Sequence, residues 1–158
     1  MFHVVLIRPE IPPNTGNIGR LTLGTGTRLH IVGDPLFDLD RNTAVKRAGL
    51  DYWERVDWVH HSDWESYREE TEGPRVLLSK FGDRTYTDYP FSDETHLIFG
   101  GETQGAPKTI HKNKQIPSLH VPMNDKIRSF NLANTVGIVL FEALRQNGFL
   151  DLHQTPYC

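Results

Sequence analysis

The architecture of this chain follows from residues 4–32, which read VVLIRPEIPPNTGNIGRLTLGTGTRLHIV. Two short apolar runs, Val4–Ile7 and Leu29–Val32, are typical of parallel strands that are covered on both faces. Between them the Pro12-Pro13 pair stiffens a loop, and a helix is predicted over Gly16–Leu23 with Asn14 or Thr15 as its N-cap. The segment therefore predicts two strands joined by a helix.

The same alternation continues along the rest of the sequence. Further strands are predicted at Trp58–His60, Val76–Ser79, His96–Phe99 and Leu119–Val121. Further helices are predicted at Asn42–Gly49, Ser62–Glu70, Pro107–Lys112 and Asn131–Gln146. Ser62 and Glu65 form a capping-box pattern, and Ser129 or Asn131 can cap the last helix. The alternation predicts an α/β fold, with a mostly parallel sheet and helices on both faces, in one domain over residues 1–158.

The last predicted helix has an apolar arc that is wider than a surface helix needs. Its polar positions form one narrow stripe: Asn131, Asn134, Thr135, Glu142 and Arg145. Either the helix lies centrally in the core, or one face packs on its own sheet and another on a second subunit. The small residues Ala133, Gly137 and Ala143 permit close approach, which favours a dimer.

Composition excludes several classes of protein. The 158 residues carry a formal net charge of −3, which is not that of a generically basic nucleic-acid binder. No apolar run approaches the roughly 20 residues of a membrane span. The first residues are typical of a strand rather than a signal peptide, and the single cysteine, Cys158, cannot form an intrachain disulfide. These features predict a cytoplasmic protein.

Three segments rich in glycine and proline lie where parallel strands are predicted to end: residues 9–20, 98–107 and 121–134. Ligands of open α/β sheets bind at that edge. Backbone amides at the first helix start suit an anion, with Arg20 as the charged group, and Gly100-Gly101 lets a ligand approach the backbone. Met123 and Phe130 suit the walls around a flat heterocycle. The alternative for each segment is a plain connection without a ligand.

Other chemistries are disfavoured by residue spacing. His60 and His61 face opposite sides of a strand and cannot both bind one metal, and the other histidines show no ligand spacing, so no metal is expected. The sequence has no nucleophile elbow, phosphate-binding loop or dinucleotide fingerprint. One basic stretch either lies along the phosphate groups of a ligand or forms a solvated helix face: Arg41, Lys46, Arg47 and Arg55.

Four motifs, in order, resemble those of the SPOUT class of RNA methyltransferases, which use S-adenosylmethionine. They are residues 9–20, 47–52, 99–105 and 128–134, and the resemblance covers essentially the whole chain. It is closest to the small members that methylate the ribose 2′-oxygen of cytidine or uridine at the wobble position, 34, of tRNA. The resemblance implies a C-terminal trefoil knot, a homodimer through the first and last helices, and a tRNA anticodon stem-loop as substrate, with no membrane or DNA partner.

The resemblance also implies roles for individual residues. Cofactor contacts are expected from Leu78, Gly100, Val121, Met123, Ser129 and Phe130. Arg20 is expected near the transferred methyl, and the residues expected to hold the catalytic loops are Asn17, Glu102, Ser129 and Asn131. The sequence departs from the family at Gly101, where proline is frequent, and at Phe141, where some relatives have tyrosine.

The role of Arg20 is limited by its chemistry. A guanidinium stays protonated at neutral pH and is a poor general base, so Arg20 is predicted to stabilise the developing alkoxide or to position a phosphate. Two alternatives to the wobble activity stay open: 2′-O-methylation of another tRNA or rRNA site, and a module that binds the cofactor or RNA without turnover.

Overall fold

The computed structural model describes residues 1–37, 52–149 and 152. Its strands are β1 (His3–Ile7), β2 (Arg28–Val32), β3 (Trp58–His61), β4 (Arg75–Leu78), β5 (Arg84–Thr85), β6 (His96–Gly100) and β7 (Ser118–His120). They form one sheet in the order β3-β2-β1-β6-β4-β7-β5, and every neighbouring pair is parallel. The prediction of a mostly parallel α/β sheet is confirmed.

The α-helices of the described residues are α1 (Pro12–Thr25), α2 (Trp64–Glu70), α3 (Lys108–His111) and α4 (Leu132–Gln146). The helix predicted at Asn42–Gly49 lies outside the described residues, as do Arg41, Lys46, Arg47 and Cys158. No helix in the described part of the chain has the length and apolar character to cross a membrane.

Two predicted helix starts are wrong. Helix α1 begins at Pro12 with Ile11 as an N-cap that makes no side-chain hydrogen bond, while Asn14 and Thr15 are buried inside the helix. Prolines in the first turn have no N–H, so fewer donors need a capping side chain. Helix α2 is capped by Asp63 rather than Ser62, because the Asp63 carboxylate accepts the Ser66 N–H at 2.8 Å.

The sheet is covered on both faces. Alternate side chains of β1 point to opposite sides, so Val4 and Leu6 join one apolar cluster and Val5 and Ile7 join the other. The first cluster includes apolar side chains of α1 and α4, and the second includes Tyr67 of α2. Continuous burial of β1 and most of β2, β4 and β6 explains why these strands are largely apolar on both faces rather than alternating.

Four histidines form a row across neighbouring strands on the second face: His61 of β3, His30 of β2, His3 of β1 and His96 of β6. His30 lies at the centre, because its Nε2 is 2.9 Å from His3 Nδ1 and its Nδ1 is 2.9 Å from His61 Nε2. Two carboxylates contact the row: Glu70 lies 2.7 Å from His61 Nδ1, and Glu94 lies 3.2 Å from His3 Nε2. This histidine row gives the otherwise apolar second face a buried polar edge.

Candidate functional site

A cavity of about 540 Å³ lies at the carboxyl ends of β4, β6 and β7, beside the start of α4. Its volume falls in the range of small-molecule and cofactor sites. All six residues expected to contact the cofactor line it: Leu78, Gly100, Val121, Met123, Ser129 and Phe130. Glu102 and Asn131 line it as well. The structure therefore gathers residues that are more than fifty positions apart in the sequence at one edge of the sheet.

A tight turn after β6 forms one side of the cavity. The Gly105 N–H donates to the Gly101 carbonyl at 2.9 Å, and Gly105 has a φ of +69°, which glycine adopts without strain. A Cβ at Gly100 would lie 2.0 Å from the Ala106 nitrogen and 2.1 Å from the Gly105 carbonyl carbon. Glycine at position 100 is thus required because the turn folds back onto the end of its own strand.

Glu102 joins this turn to the segment that follows β1. Its carboxylate accepts the backbone N–H groups of Glu10 at 2.8 Å and Ile11 at 3.3 Å. It also accepts the Asn14 side-chain amide at 3.0 Å. Since Glu102 only accepts hydrogen bonds when ionised, these three donors fix its orientation beside the cavity.

Asn14 extends the connection to the third segment. Its Oδ1 accepts the Asn131 side-chain amide at 2.9 Å, while Asn131 Oδ1 caps α4 by accepting the Asn134 N–H at 3.2 Å. The prediction of Asn131 as a cap of the last helix is confirmed. A chain of side chains, Glu102–Asn14–Asn131, therefore connects the three segments that the sequence places at the strand ends.

Arg20 and Asn17 lie apart from this network. Both are exposed on α1, and neither lines the cavity. The Arg20 guanidinium lies 5.6 Å from the centre of the Tyr52 ring, whose hydroxyl donates to the Gly16 carbonyl at 3.1 Å. Arg20 is thus held against an aromatic ring while its charge stays accessible to a ligand outside the cavity.

Cationic side chains border the cavity. Lys80 and Arg128 are exposed among its lining residues. The Lys80 ammonium lies 5.0 Å from the centre of the Phe81 ring, and the Phe81 side chain is 76% exposed. Although the chain is acidic overall, this rim suits an anionic partner with aromatic bases.

The sequence does not predict the contacts of Glu10 and Asn14 around the site. It predicts Asn14 as a helix cap and assigns no role to Glu10. Their partners in space, Glu102 and Thr103, are 88 and 93 positions away in sequence. The one available signal was their position in the first segment, directly after a predicted strand.

The histidine row is the arrangement in the described residues that most resembles a metal site, since nitrogen atoms of His3, His30 and His96 lie within 4.8 Å of one another. The His3 and His96 rings are stacked with centroids 4.1 Å apart and planes 3° from parallel. Imidazole lone pairs lie in the ring plane, so those of two parallel rings do not converge on one ion. Both His96 nitrogens also have protein partners, Tyr67 Oη at 2.6 Å and the Glu72 carbonyl at 2.9 Å. The geometry does not fit a shared metal.

The parallel sheet, the cofactor-sized cavity at its carboxyl edge and the three interlocked loops are the arrangement in which open α/β proteins bind their ligands. The SpoU rRNA methylase family matches residues 1–141, and the chain belongs to this family. The predicted family relationship is thereby confirmed.

Individual relatives agree over nearly the full length. The tRNA (cytidine(34)-2′-O)-methyltransferase of Polaromonas sp. strain JS666 is 41% identical over 157 residues, which are 97% of this chain and 95% of that protein. A solved structure described as giving insight into the 2-OH methylation of C/U34 on tRNA superposes with a TM-score of 0.87 at 37% identity, over 94% of this chain and 97% of that one. An rRNA methyltransferase from Sinorhizobium meliloti, solved with AdoMet bound, has a TM-score of 0.79 at 25% identity, over 91% of this chain and 56% of that one.

Proposed function

We propose that this chain transfers a methyl group from S-adenosylmethionine to the ribose 2′-hydroxyl of cytidine or uridine at position 34 of tRNA. The observation that carries the proposal is the cavity at the sheet edge, which gathers every residue expected to contact the cofactor. The near full-length relatives, including a tRNA (cytidine(34)-2′-O)-methyltransferase, support the substrate.

The cavity fits S-adenosylmethionine. Leu78, Val121 and Met123 supply apolar surface for a flat adenine, and the turn at residues 100–106 supplies backbone groups for polar contacts. When bound, the cofactor supplies a methyl group on a positively charged sulfur. The protein must bring the ribose oxygen within roughly 3–3.5 Å of that carbon, in line with the bond that breaks.

Side chains of this protein shape the cavity, stabilise developing charge and bind the RNA. Glu102, Asn14 and Asn131 hold the loops that shape the cavity. The ribose hydroxyl loses its proton to water as its oxygen takes the methyl group, and Arg20, outside the cavity, stabilises the developing alkoxide or holds a neighbouring phosphate. Lys80 and Arg128, on the rim of the cavity, attract the RNA backbone.

We also propose that the C-terminal part of this single domain is knotted. Strand β7 lies between β4 and β5, although β4 and β5 follow each other in sequence. The connection at residues 79–83 passes the end of β7, where the Ser79 N–H donates to the Leu119 carbonyl at 2.9 Å. A Cβ at Gly82 would lie 2.2 Å from the Leu119 carbonyl carbon, so this crossing is tight.

A homodimer through α1 and α4 is part of the proposal. The two helices pack on each other within the chain. On α4, Val136, Val139 and Leu140 are buried, while Ile138 and Phe141 are 39% and 46% exposed. These two exposed apolar side chains support the arrangement in which one face of the helix packs on its own sheet and another on a second subunit.

The test is to incubate the purified protein with bulk tRNA and radiolabelled S-adenosylmethionine and to identify the labelled nucleoside after digestion. We expect label in a 2′-O-methylated pyrimidine from the anticodon loop. Label at another position would replace the substrate with a different RNA site. Cofactor binding without any label would indicate a binding module, and absence of cofactor binding would overturn the proposal.

A further inference from the structure

Glu10 makes the reverse of the contacts that Glu102 makes. Glu102 of the turn after β6 accepts N–H groups from the segment after β1. Glu10 of the segment after β1 accepts N–H groups from the turn after β6, since its Oε1 lies 3.1 Å from the Thr103 nitrogen and 3.5 Å from the Gln104 nitrogen. The two carboxylates thus cross between the two loops, and each binds the backbone of the other's loop.

The space for this crossing is provided by Gly101, which is buried. A Cβ at position 101 would lie 2.8 Å from Glu10 Oε1 and 2.8 Å from the Arg8 carbonyl oxygen. A side chain at 101 would therefore push the Glu10 carboxylate away from the turn. The observed position of the Glu10 carboxylate therefore requires glycine at position 101.

The charge of Glu10 strengthens its contacts. The hydrogen bond with Thr103 is the main cause that lowers the pKa of the Glu10 carboxyl below its ordinary value, and the charge of Arg8 acts in the same direction. Glu10 is therefore ionised at neutral pH. Hydrogen bonds from backbone N–H groups to a carboxylate are roughly twice as strong as those between neutral groups.

Glu10 does not line the cofactor cavity, whereas Thr103 and Gln104 do. Its effect on a ligand in that cavity must therefore be transmitted through the turn. Without the Glu10 side chain, the two loops would keep the hydrogen bonds of Glu102. The backbone N–H groups of Thr103 and Gln104 would lose the carboxylate that accepts them.

We propose that Glu10 is a positioning residue whose carboxylate fixes the turn at residues 101–105 in the conformation that binds the methyl donor. This inference rests on the proposed function for its kinetic consequence. Its structural part, the ordering of the turn, is independent of any reaction.

The test compares the full-length variants Glu10→Ala and Glu10→Gln with wild type. Glu69→Gln is the matched control, because Glu69 is exposed on α2 and its substitution makes the same change of charge. The readouts are hydrogen exchange of the Thr103 and Gln104 amides, the S-adenosylmethionine Kd by calorimetry, and separate kcat and KM values for tRNA.

In Glu10→Ala we expect exchange of both amides to be about tenfold faster and the cofactor Kd to rise about tenfold, which is the effect of one lost charge-assisted hydrogen bond. Glu10→Gln keeps an acceptor oxygen without the charge, so its effect should lie between those of wild type and alanine. The KM for tRNA should not change, and Glu69→Gln should match wild type in every readout.

Unchanged exchange and an unchanged cofactor Kd in Glu10→Ala would overturn the inference. So would a raised KM for tRNA with the cofactor Kd unchanged, because Glu10 would then act on the RNA. Should Glu10→Ala fail to fold, Glu10→Gln decides by the same measurements. A wild-type protein that transfers no methyl group would contradict the proposed function, whereas amide exchange would still test the role of Glu10.

Discussion

At the scale of single residues, Asn14 is the side chain where the three segments of the site meet. It is buried, donates to Glu102 at 3.0 Å and accepts from Asn131 at 2.9 Å. Donating and accepting at once is a property of the amide that a carboxylate of the same shape lacks when ionised.

The substitution Asn14→Asp therefore tests the network. It removes the donor to Glu102 and brings two carboxylates together, so we expect the free energy of unfolding to fall by about 1–3 kcal/mol. Urea denaturation measures the change. Asn17→Asp is the control, because Asn17 is exposed on the same helix. Equal stabilities of the two variants would show that the hydrogen bonds of Asn14 contribute nothing.

Arg20 gives a second prediction for a single side chain. In Arg20→Lys we expect the rate of methyl transfer to fall about 100-fold, because an ammonium cannot form two parallel hydrogen bonds to an oxyanion or phosphate. The cofactor Kd should stay the same, since Arg20 lies outside the cavity. Arg68→Lys, an exposed substitution on α2, should leave both quantities unchanged. Full activity of Arg20→Lys would contradict the bidentate role.

How much of the site a sequence reveals depends on how local the contacts are. The residues that line the cavity follow strands or begin a helix, so their neighbours in sequence indicate their place. Glu10 and Asn14 act on partners about ninety positions away, and only the parallel pairing of β1 with β6 brings them together. The sheet order that creates this pairing is not encoded in any single segment.

At the scale of elements, Gly100 and Gly24 have opposite roles. The turn after β6 requires glycine at position 100, whereas glycine at position 24 only weakens helix α1. A Cβ at Gly100 would meet backbone atoms at 2.0 Å, whereas a Cβ at Gly24 in α1 would meet nothing within 4 Å. We expect Gly100→Ala to destabilise the protein by about 1–3 kcal/mol through overpacking. Gly24→Ala should stabilise it by up to about 1 kcal/mol through helix propensity. Urea denaturation of both variants checks the opposite signs, and a stable Gly100→Ala protein would show that the turn can move.

The two exposed apolar side chains of α4 give a prediction about assembly. A charge in an apolar interface is costly, so Phe141→Glu should convert a dimer to a monomer without loss of the fold. Analytical ultracentrifugation measures the mass, and circular dichroism checks the helix content. The control is Leu36→Glu, a substitution at a side chain that is 69% exposed on the loop after β2. A Phe141→Glu protein that sediments as a dimer would place the interface elsewhere.

The elements themselves were largely predictable. All six predicted strands are present with each end shifted by at most one residue, because buried parallel strands are continuous apolar runs. Strand β5 was missed, since two residues carry no periodic pattern. The first helix begins earlier than predicted because its paired prolines were assigned to a loop, although proline suits the first turn of a helix.

At the scale of the whole molecule, the buried histidines make stability depend on pH. Burial is the main cause that lowers the pKa of His30 to about 3 and that of His96 to about 4, and it also lowers the pKa of His3. In the unfolded chain these groups titrate near pH 6.5. Below pH 6.5 the unfolded state therefore binds more protons than the folded state, so the free energy of unfolding falls as the pH falls.

Between pH 7 and pH 5 we expect a loss of about 2 kcal/mol for each fully buried histidine of this kind, as an upper value for independent groups. Carboxyl groups whose pKa is lowered, such as Glu94 and Asp63, add to the loss only at lower pH. Urea denaturation at a series of pH values measures the slope. His96→Asn should reduce it, while His60→Asn, on the exposed side of β3, should not. A pH-independent stability over this range would show that the histidines are not buried in solution.

The histidine row has a consequence for the number of protons that the folded chain carries. Four hydrogen bonds link Glu94, His3, His30, His61 and Glu70 in series. Ionised carboxylates bring no proton, and three neutral imidazoles bring three, so filling all four bonds takes one proton more than neutrality. Three neutral imidazoles therefore leave one of the four contacts without a proton, and burial, which lowers the pKa of His30 and of His3, opposes adding a proton to either ring. Short shifts of protons along the hydrogen bonds would move this unfilled contact between the Glu70 end and the Glu94 end of the series.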